Sequence, residues 1–381
     1  MVKTDEQGSS LVTLPALRAL EPRLLNPIVK NLWKSDRYAV DGWHYLASHA
    51  EVSKLLTVFA DSWRPESGFF RVGQVDLKPE AIKLGNNHIR MILLEGSQEI
   101  LSNIRCTKLA GKHQTRAFGH LLVRHCFSSV LHGSRSLRVA DWTARYVRES
   151  VIPDDIRRRA TSPYANLSEL RLELSRLVDQ EEFSRREPRD LLDVAALVAP
   201  SEQEIPEIYQ RLVLSTTGFL GAAVEWLCID LAKQPQVELR SKGFVRESLR
   251  LSAPAWRLTR TAAREVLRPG GTIEKNDELI LNVSAANRDP LVWPEPCAFD
   301  SSRWNDSSAS KHDLSFGKGN RSCPAQKMSL RFLDALRAHI VARYSVSWRP
   351  DLMSRPLVGT FNSPARGRIA FLPLDEEGEK S

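Results

Sequence analysis

The chain has 381 residues, of which 42% are hydrophobic, and this composition is typical of a folded globular protein rather than of a fibre or a disordered chain. Its 54 basic and 46 acidic residues leave a net charge of +8, but the two signs are interspersed without a long basic block, so we expect no nucleic-acid partner. No apolar run approaches the roughly 20 residues that span a bilayer, and the first ten residues, MVKTDEQGSS, lack the apolar core of a signal peptide. The sequence therefore predicts a cytoplasmic protein that is not bound to a membrane.

The five cysteines indicate neither a disulfide framework nor a zinc ribbon, because they are odd in number, scattered and never arranged as CxxC. Proline, glycine and charge are spread along the chain without a linker, and no internal repeat is evident. Residues 1–381 are therefore predicted to form a single domain. Only the polar residues 1–10 and the acidic end 375–381 are expected to fray.

The first half of the chain has mainly helical patterns. Tyr38–His49 alternates around an Asp-Gly turn, which predicts a short hairpin, and HAEVSKLL at its end predicts a small helix. From about Ile92 onward, apolar residues recur at three- and four-residue spacings. This spacing predicts helices over four segments: Arg105–Leu122, Asp141–Val151, Leu167–Phe183 and Asp190–Val198.

The longest predicted helix is PEIYQRLVLSTTGFLGAAVEWLCIDLAKQP, which Pro206 can begin and Pro235 ends. Its middle is apolar on nearly every side, which predicts a helix buried through the centre of the domain. Gly218 and Gly221 lie in that middle, where each glycine costs roughly 1 kcal/mol relative to alanine. We therefore expect another part of the protein to press against the backbone there, and tight helix packing would explain it.

The second half of the chain mixes short strands with helices. FVRESLRL reads as a helix, and TRTAAREV, GTIEK and ELILNVS read as strands. An irregular stretch rich in proline and tryptophan follows, then a strong helix after Pro324 and a β-like tail. The fold class that these elements predict is mainly α with small β-sheets.

Cys323 lies in the stretch FGKGNRSCPAQ, directly before the predicted helix. Glycines before it permit close backbone approaches, and Pro324 fits the first turn of a helix whose apolar residues recur every four positions. The amino end of a helix stabilises a thiolate, which is the form that binds a soft or borderline metal. Arg321 can bind a carboxylate. The alternative for a lone cysteine is a buried structural thiol.

This stretch closely resembles the heme-binding loop of cytochromes P450, F-x-x-G-x-R-x-C-x-G, with Ala325 in place of the last glycine. In that family the cysteine thiolate is the axial ligand of the iron of heme b, and its electron donation favours O–O cleavage. The resemblance implies that Cys323 is the metal ligand and that Arg321 pairs with a heme propionate. The residues that it assigns to cofactor binding in this loop are Cys323, Arg321, Phe316 and Gly317.

A second motif supports the resemblance. Glu247 and Arg250 in ESLR match the E-x-x-R helix of the family, and Arg303 in PCAFDSSRW stands where an arginine completes a Glu/Arg/Arg cluster. Taken alone, ESLR would be read as an exposed ion pair of little energetic value. The matches extend from about Glu207 to Arg343, and DGWHYLASHAEV resembles the first strands and helix of the family. They imply the cytochrome P450 fold.

Two further arginines are candidates for propionate contacts. Arg260 stands where many family members place a propionate-binding arginine, and a charge on a surface strand is the alternative. The family also carries H-x-x-x-R on a helix nearer the amino terminus. In LEGSQEILSNIRCTKL, Arg105 matches the arginine, but Leu101 replaces the histidine.

The central helix departs from the family pattern. Monooxygenases of the family carry A-G-x-[DE]-T where this helix crosses the heme, and counting back from Pro235 places the acid at Gly218 and the threonine at Phe219, neither of which relays a proton. Thr216 and Thr217 can replace them as catalytic residues only in a bulged or shifted helix. The alternative is that their hydroxyls bond back to their own helix.

The resemblance also implies which side chains surround a substrate. Phe219 and Leu220 are expected to face the distal pocket, as is the stretch from Pro254 to Leu258. An aromatic run in the loop expected to cap the pocket comprises Trp63, Phe69 and Phe70. Core packing is the alternative for each of these residues.

These expectations define a heme-thiolate oxidoreductase that oxidises a small apolar or aromatic molecule, in specialised metabolism, by hydroxylation or by oxidative C–C, C–N or C–O coupling. Its electrons are expected from a separate ferredoxin and ferredoxin reductase, with Lys318, Lys327 and Arg331 as the docking charges beside the cysteine loop. The alternative is a catalytically degenerate heme-binding protein of the same fold that acts as a recruitment partner.

Overall fold

The structure, a computed structural model, describes residues 3–4, 10–11, 37–40, 42–64, 77–152, 163–184, 186–268, 271–358 and 360–374. The helices in these ranges are α1 His49–Thr57, α2 Pro79–Glu95, α3 Ser97–Cys106, α4 Phe118–Cys126, α5 Ser128–Leu131, α6 Leu137–Tyr146, α7 Pro163–Val178, α8 Leu191–Val198, α9 Ile205–Val213, α10 Leu220–Lys233, α11 Gln236–Leu239, α12 Phe244–Leu251, α13 Val283–Ala286, α14 Ser307–His312 and α15 Gln326–Arg343. Two π-helical turns occur at Val147–Val151 and Leu214–Phe219, and 3-10 turns at Ala60–Ser62, Glu202–Glu204, Ser301–Asn305 and Gly319–Arg321.

The strands are short and form small sheets. They are β1 Lys3–Thr4, β2 Ser10–Leu11, β3 Arg37–Val40, β4 Trp43–Leu46, β5 Gly111–Gln114, β6 Arg257–Thr261, β7 Val266–Arg268, β8 Gly271–Ile273, β9 Glu278–Asn282, β10 Tyr344–Pro350, β11 Leu357–Val358, β12 Asn362–Ser363 and β13 Gly367–Pro373. The largest sheet has the order β3-β4-β9-β6, with β4 parallel to β9, and a second has the order β10-β13-β5. The pairs β1-β2, β7-β8 and β11-β12 are separate.

Most elements lie where the patterns predict them. The hairpin β3-β4 pairs Val40 with Trp43 around the predicted turn, and α1 follows it. Helix α8 begins after Asp190, whose carboxylate accepts the N–H groups of Leu192 and Asp193 as an N-cap. The strands after α12 and the β-containing tail are also present. The prediction of a mainly α fold with small β-sheets is confirmed.

The prediction of one helix over Arg105–Leu122 is wrong. Helix α3 ends at Cys106, and β5 then pairs with β13 before α4 begins. Gly111 has φ +120° and Arg116 has φ +68°, values that no α-helix accommodates. The helix predicted to reach Phe183 ends at Val178. Of the ends expected to fray, Lys3–Thr4 pairs with Ser10–Leu11, and residues 375–381 lie outside the described residues.

The central helix runs from α9 through the π-helical turn Leu214–Phe219 into α10. Helix α10 packs against α4, α12, α15 and β10, and most of its residues are buried. Among the described residues, Glu202–Lys233 is the one stretch long and apolar enough to cross a membrane, and 72% of its most apolar window is buried inside the protein. Its hydropathy is therefore that of the core helix which the sequence predicts.

Candidate cofactor site

The cysteine loop between α14 and α15 has a shape that requires glycine. Gly317 and Gly319 have φ of +69° and +76°, and a Cβ on Gly319 would lie 2.4 Å from the carbonyl oxygen of Leu56 in α1. The N–H of Cys323 donates to the carbonyl oxygen of Phe316 over 2.8 Å, which closes the loop. Helix α15 begins three residues after the cysteine, at Gln326, so Pro324 lies in the turn before the helix rather than in its first turn.

Burial raises the pKa of the Cys323 thiol above its ordinary value, although the N–H groups of Ala325 and Gln326 and the guanidinium of Arg90 lower it. A thiol that is held above its ordinary pKa becomes a thiolate when a metal cation coordinates it. The surroundings of Cys323 therefore fit a metal ligand better than a free reactive nucleophile.

A buried arginine marks the carboxylate-binding part of the site. Arg260, in β6, is 6% exposed, and its Nε has no hydrogen-bond partner within the part of the chain that the structure describes. Its Nη1 donates to the carbonyl oxygen of Thr259. Burial and the nearby charge of Arg321 lower the pKa of Arg260 to about 10. The two guanidiniums lie near each other, and Arg260, whose Nε has no partner in the described ranges, fits a propionate of heme b.

Arg321 also holds the loop against the segment that follows α1. Its Nη1 and Nη2 donate over 2.9 Å to the carbonyl oxygens of Arg64 and Trp63. Trp63 is itself 2% exposed and donates its Nε1–H to the carbonyl oxygen of Leu55. It is therefore a core side chain and not part of a loop that caps a pocket. Phe69 and Phe70 lie outside the described residues.

The structure brings Glu247, Arg250 and Arg303 together in the core. Arg250 donates Nε–H and Nη2–H to the two carboxylate oxygens of Glu247 over 2.9 and 2.7 Å, and both side chains are 0% exposed. Nε of Arg303 is 3.4 Å from the same carboxylate. An exposed ion pair, the alternative for this spacing, is therefore excluded.

This cluster also organises the irregular segment between β9 and the cysteine loop. Arg250 donates to the carbonyl oxygens of Asn287, Pro296 and Ala298, and its guanidinium lies over the ring of Trp293. Glu247 accepts the N–H of Asp300 and the Nε1–H of Trp304.

The central helix is bulged where the family pattern expects the acid and the threonine. The π-helical turn Leu214–Phe219 contains both threonines, but the hydroxyl of Thr216 donates to the carbonyl oxygen of Leu212 over 3.0 Å and that of Thr217 to Val213 over 2.7 Å. Thr217 is fully buried, whereas Thr216 is partly exposed. The bulge and the bonds back to the helix, which the sequence left as alternatives, therefore occur together.

Both glycines of the central helix are in tight contact with other elements. A Cβ on Gly218 would lie 2.9 Å from the ring of Phe361, and a Cβ on Gly221 would lie 2.7 Å from the Cα of His120 in α4. The packing explanation of the sequence pattern is therefore confirmed for Gly221, where one helix touches another.

The residues assigned to the substrate pocket differ in exposure. Phe219 and Leu258 are partly exposed, and Leu258 Cδ1 lies 3.5 Å from where a Cβ of Gly317 would be, which puts this side chain beside the cysteine loop. Leu220 is 8% exposed. Pro254 is buried, and its carbonyl oxygen accepts the N–H of Asn362. Phe219 and Leu258 thus have side-chain surface available to a ligand, whereas Leu220 and Pro254 have little.

Several residues near the site were not predicted from the sequence. Arg90, in α2, is the basic side chain whose charge reaches Cys323. Arg105, which the resemblance made a candidate for a propionate contact, lies exposed beside a groove between α3 and α15, together with Arg331 and Arg343. His120 and Phe361, which touch the central helix, have no local signal in the sequence, because they come from α4 and from the turn before β12.

Residues 228–365 match the family model described as Cytochrome P450. Geraniol 8-hydroxylase from Swertia mussotii is 26% identical over 243 residues, which cover 53% of this chain and 48% of that protein. The chain spans less than half the length of the first curated relatives that it matches.

Two solved structures cover nearly the whole chain. P450 OxyD, described as involved in the biosynthesis of vancomycin-type antibiotics, has a TM-score of 0.71 at 15% identity and covers 96% of this chain and 100% of its own. A mutant of P450 EryK in complex with erythromycin B has a TM-score of 0.66 at 17% identity and covers 96% of this chain and 99% of its own. The fold is therefore that of cytochromes P450, and residues 228–365 match the model of that family, as the motifs predicted. Heme b is the cofactor of this family, and the residues around Cys323 and Arg260 fit it.

Proposed function

We propose that the protein is a heme-thiolate oxidoreductase that oxidises a small apolar or aromatic molecule in specialised metabolism. The observation that carries this proposal is Cys323 in a glycine-shaped loop whose Arg321 lies near a buried arginine, Arg260, that has no carboxylate partner in the described ranges. The names of similar proteins support the metabolic setting, since one is a geraniol hydroxylase and another takes part in antibiotic biosynthesis.

Each group of the site has a distinct task in this proposal. Cys323 would supply a thiolate ligand to heme, Arg260 and Arg321 would bind its propionates, and Phe316 and Gly317 would form the loop surface that faces it. When bound, heme supplies oxidation chemistry at its iron. Phe219 and Leu258 offer apolar surface to the substrate, which favours an apolar or aromatic molecule over a charged one.

The reaction is hydroxylation or oxidative C–C, C–N or C–O coupling. Gly218 and Phe219 provide no proton, and the Thr216 hydroxyl, although it donates to Leu212, still has an oxygen that accepts a hydrogen bond. Protons therefore have to come from bound water or from the substrate itself. A coupling reaction, whose substrates bring their own acidic hydrogens, needs less proton delivery from this helix than hydroxylation does.

A second candidate function is a heme-binding protein of this fold that recruits or binds a partner without catalysis. Gly218 and Phe219 favour this non-catalytic function, because they replace the residues that deliver protons in monooxygenases of the family. The complete Glu247, Arg250 and Arg303 cluster and the glycine-shaped cysteine loop favour the enzyme. A ligand-induced change in the spin state of the iron with product formation identifies the enzyme, and the spin change without product identifies the binding protein.

We also propose a single domain in the cytoplasm that receives electrons from a ferredoxin and its reductase. Lys327 and Arg331 are exposed on the first turns of α15, next to the cysteine loop. Lys318 is partly exposed and donates to Ser53 and to the carbonyl oxygen of Lys311, so its ammonium stays at this surface. An acidic ferredoxin surface complements these three charges.

Replacing Lys318, Lys327 and Arg331 together with glutamate should weaken ferredoxin-supported turnover and spare peroxide-supported turnover, because only the first needs docking. The matched control carries glutamate at three exposed basic residues on other surfaces, namely Lys112, Arg186 and Lys275. Equal loss of both activities in the first variant would reject the docking surface.

The experiment that tests the proposed function is the carbon monoxide difference spectrum of the dithionite-reduced protein, with Cys323→Ser as control. We expect the wild type to show the Soret band at the wavelength that gives the family its name, and the serine variant to lose it, since a hydroxyl does not replace the thiolate. A wild type without heme, or the same band in the variant, would rule out heme-thiolate chemistry.

A further inference from the structure

A buried histidine is bonded to the π-helical turn of the central helix. Nδ1 of His120, in α4, lies 2.9 Å from the carbonyl oxygen of Thr217, and both residues are 0% exposed. A carbonyl oxygen only accepts hydrogen bonds, so Nδ1 carries the hydrogen. The same carbonyl oxygen also accepts the N–H of Leu220.

Backbone contact fixes where this histidine stands. A Cβ on Gly119 would lie 2.1 Å from the carbonyl oxygen of Gly221, and a Cβ on Gly221 would lie 2.5 Å from Nδ1 of His120. The two helices therefore touch backbone to backbone at the residue beside the histidine. Glu225, one turn along α10, accepts the N–H groups of Arg116 and Gly119 over 2.7 and 3.2 Å and so holds the start of α4. His120 has little freedom to move away from Thr217.

The ring of Phe361 covers the same turn from another side. Its centroid is 5.3 Å from that of His120 and 5.7 Å from that of Phe219. It also occupies the space beside Gly218, where a Cβ would lie 2.9 Å from the ring. The histidine and the phenylalanine together enclose the covered side of the turn.

The turn consequently has two different faces. Thr217 and Gly218 are buried against α4 and Phe361, whereas Thr216 and Phe219 are partly exposed although they lie in the middle of a core helix. Successive residues of a helix point about 100° apart. A slip of the turn by one residue could move Thr217 into the partly exposed position of Thr216, so that a different threonine would lie on the open face.

The protonation state of His120 suits a single fixed hydrogen bond. Burial lowers the pKa of the imidazole to about 4, so the ring is neutral near pH 7. Nε2 has no partner among the described residues. In the part of the chain that the structure describes, the bond to Thr217 is therefore the one polar contact that orients this ring.

We infer that His120 is a positioning residue for the substrate side of the site: it holds the π-helical turn so that Thr216 and Phe219, rather than Thr217 and Gly218, form the open face. The inference rests on the proposed function only in taking that open face as the wall opposite Cys323. The contact itself involves protein atoms alone.

The test compares His120→Leu, which removes the donor, with His120→Asn, whose amide N–H can replace Nδ1–H. Hydrogen exchange of the amides of residues 214–221 reports on the turn and does not require heme. The affinity of the ferric heme protein for imidazole reports on the open face. We expect His120→Leu to raise the exchange rates and to change the imidazole Kd, each by about fivefold, the size of one lost hydrogen bond. His120→Asn should stay close to the wild type in both.

His339→Leu is the matched control, because His339 is also a buried helical histidine but lies in the groove between α3 and α15. It should leave the amides 214–221 unchanged. Equal exchange and equal imidazole affinity in wild type and His120→Leu would overturn the inference, as would identical losses in the asparagine and leucine variants. Should the leucine variant not fold, nitrogen NMR of the wild type decides: an Nδ1–H tautomer supports the bond, and an Nε2–H tautomer refutes it.

The carbon monoxide spectrum and the amide exchange test the proposed function and the role of His120 separately. The carbon monoxide band depends on Cys323 and should persist in both His120 variants. A wild type that lacks the band refutes the heme-thiolate proposal, whereas the exchange of residues 214–221 still tests the role of His120.

Discussion

At the scale of single residues, Arg260 is a buried side chain whose charge has no counter-ion among the described residues. The residue is 6% exposed, and the neighbouring charge is that of Arg321, which repels it. A buried charge without a counter-ion costs several kcal/mol. A propionate at this place would remove that cost. Arg260 would therefore destabilise the heme-free protein and stabilise the heme-bound protein.

Arg260→Leu should weaken heme binding without weakening the heme-free protein. Heme occupancy after purification should fall about tenfold or more, since a charge-assisted hydrogen bond contributes roughly 1.5–3 kcal/mol, while the thermal stability of the heme-free protein should be unchanged or higher. Pyridine hemochrome analysis and calorimetry measure the two quantities. Arg264→Leu, at an exposed position beyond the same strand, serves as control and should change neither. Normal heme occupancy in the Arg260 variant would contradict the assignment.

The sequence predicted the chemistry of single residues better than their partners. The spacing of Glu247 and Arg250 predicted one shared face, and this pair is indeed bidentate. Trp304, whose indole N–H also donates to Glu247, is 57 residues beyond Glu247 and has no periodic relation to it. Arg90 was missed for the same reason, because the effect of its charge on Cys323 depends on how α2 packs and not on its local pattern.

At the scale of elements, the crossing of α4 and α10 depends on two glycines. We expect Gly221→Ala to destabilise the protein by about 1–3 kcal/mol, because the added methyl group would meet the backbone of His120. In a helix free of such contacts the same change would stabilise by about 1 kcal/mol. The sign of the change in unfolding free energy, measured by denaturant titration, therefore decides whether the close crossing exists.

Two elements escaped prediction from the sequence, each for a physical reason. The π-helical turn preserves the apolar pattern of the central helix, so periodicity does not reveal it, and a bulge could be named only as an alternative, from the positions of Thr216 and Thr217. Strand β5, GKHQ, has weak β propensity and pairs with β13, more than 250 residues later. Its conformation comes from that partner and from Gly111, not from its own residues.

At the scale of the whole molecule, stability should depend on pH through the buried carboxyl of Glu225. Burial raises its pKa from 4.5 to about 8, although the N–H groups of Arg116 and Gly119 lower it. Between those two values the unfolded chain loses a proton that the folded chain keeps. The free energy of unfolding should therefore fall as the pH rises from about 4.5 to about 8, by roughly 1.4 kcal/mol for each pH unit at most.

Urea titrations of wild type and Glu225→Gln across this range test the dependence. The glutamine variant should have a flatter profile, because its side chain has no proton to lose. Glu173→Gln, at an exposed ion pair with Arg145, is the control and should keep the wild-type slope. Parallel profiles of wild type and Glu225→Gln would show that Glu225 titrates normally in the folded protein. Asp230, whose pKa burial raises to about 7, contributes to the slope that remains.

The cluster around Arg250 has a consequence for the order in which the chain folds. Between α13 and α14 the chain has one short 3-10 turn, and the carbonyl oxygens of Asn287, Pro296 and Ala298 find their donors on a helix some 40 residues earlier. The local structure of this segment is limited to short turns, such as those that Asp289 and Glu295 close with Val292 and Ala298, so closing these long loops has to wait until α12 is in place. The segment should consequently join the native structure late, and once joined it should open only when the core around α12 opens.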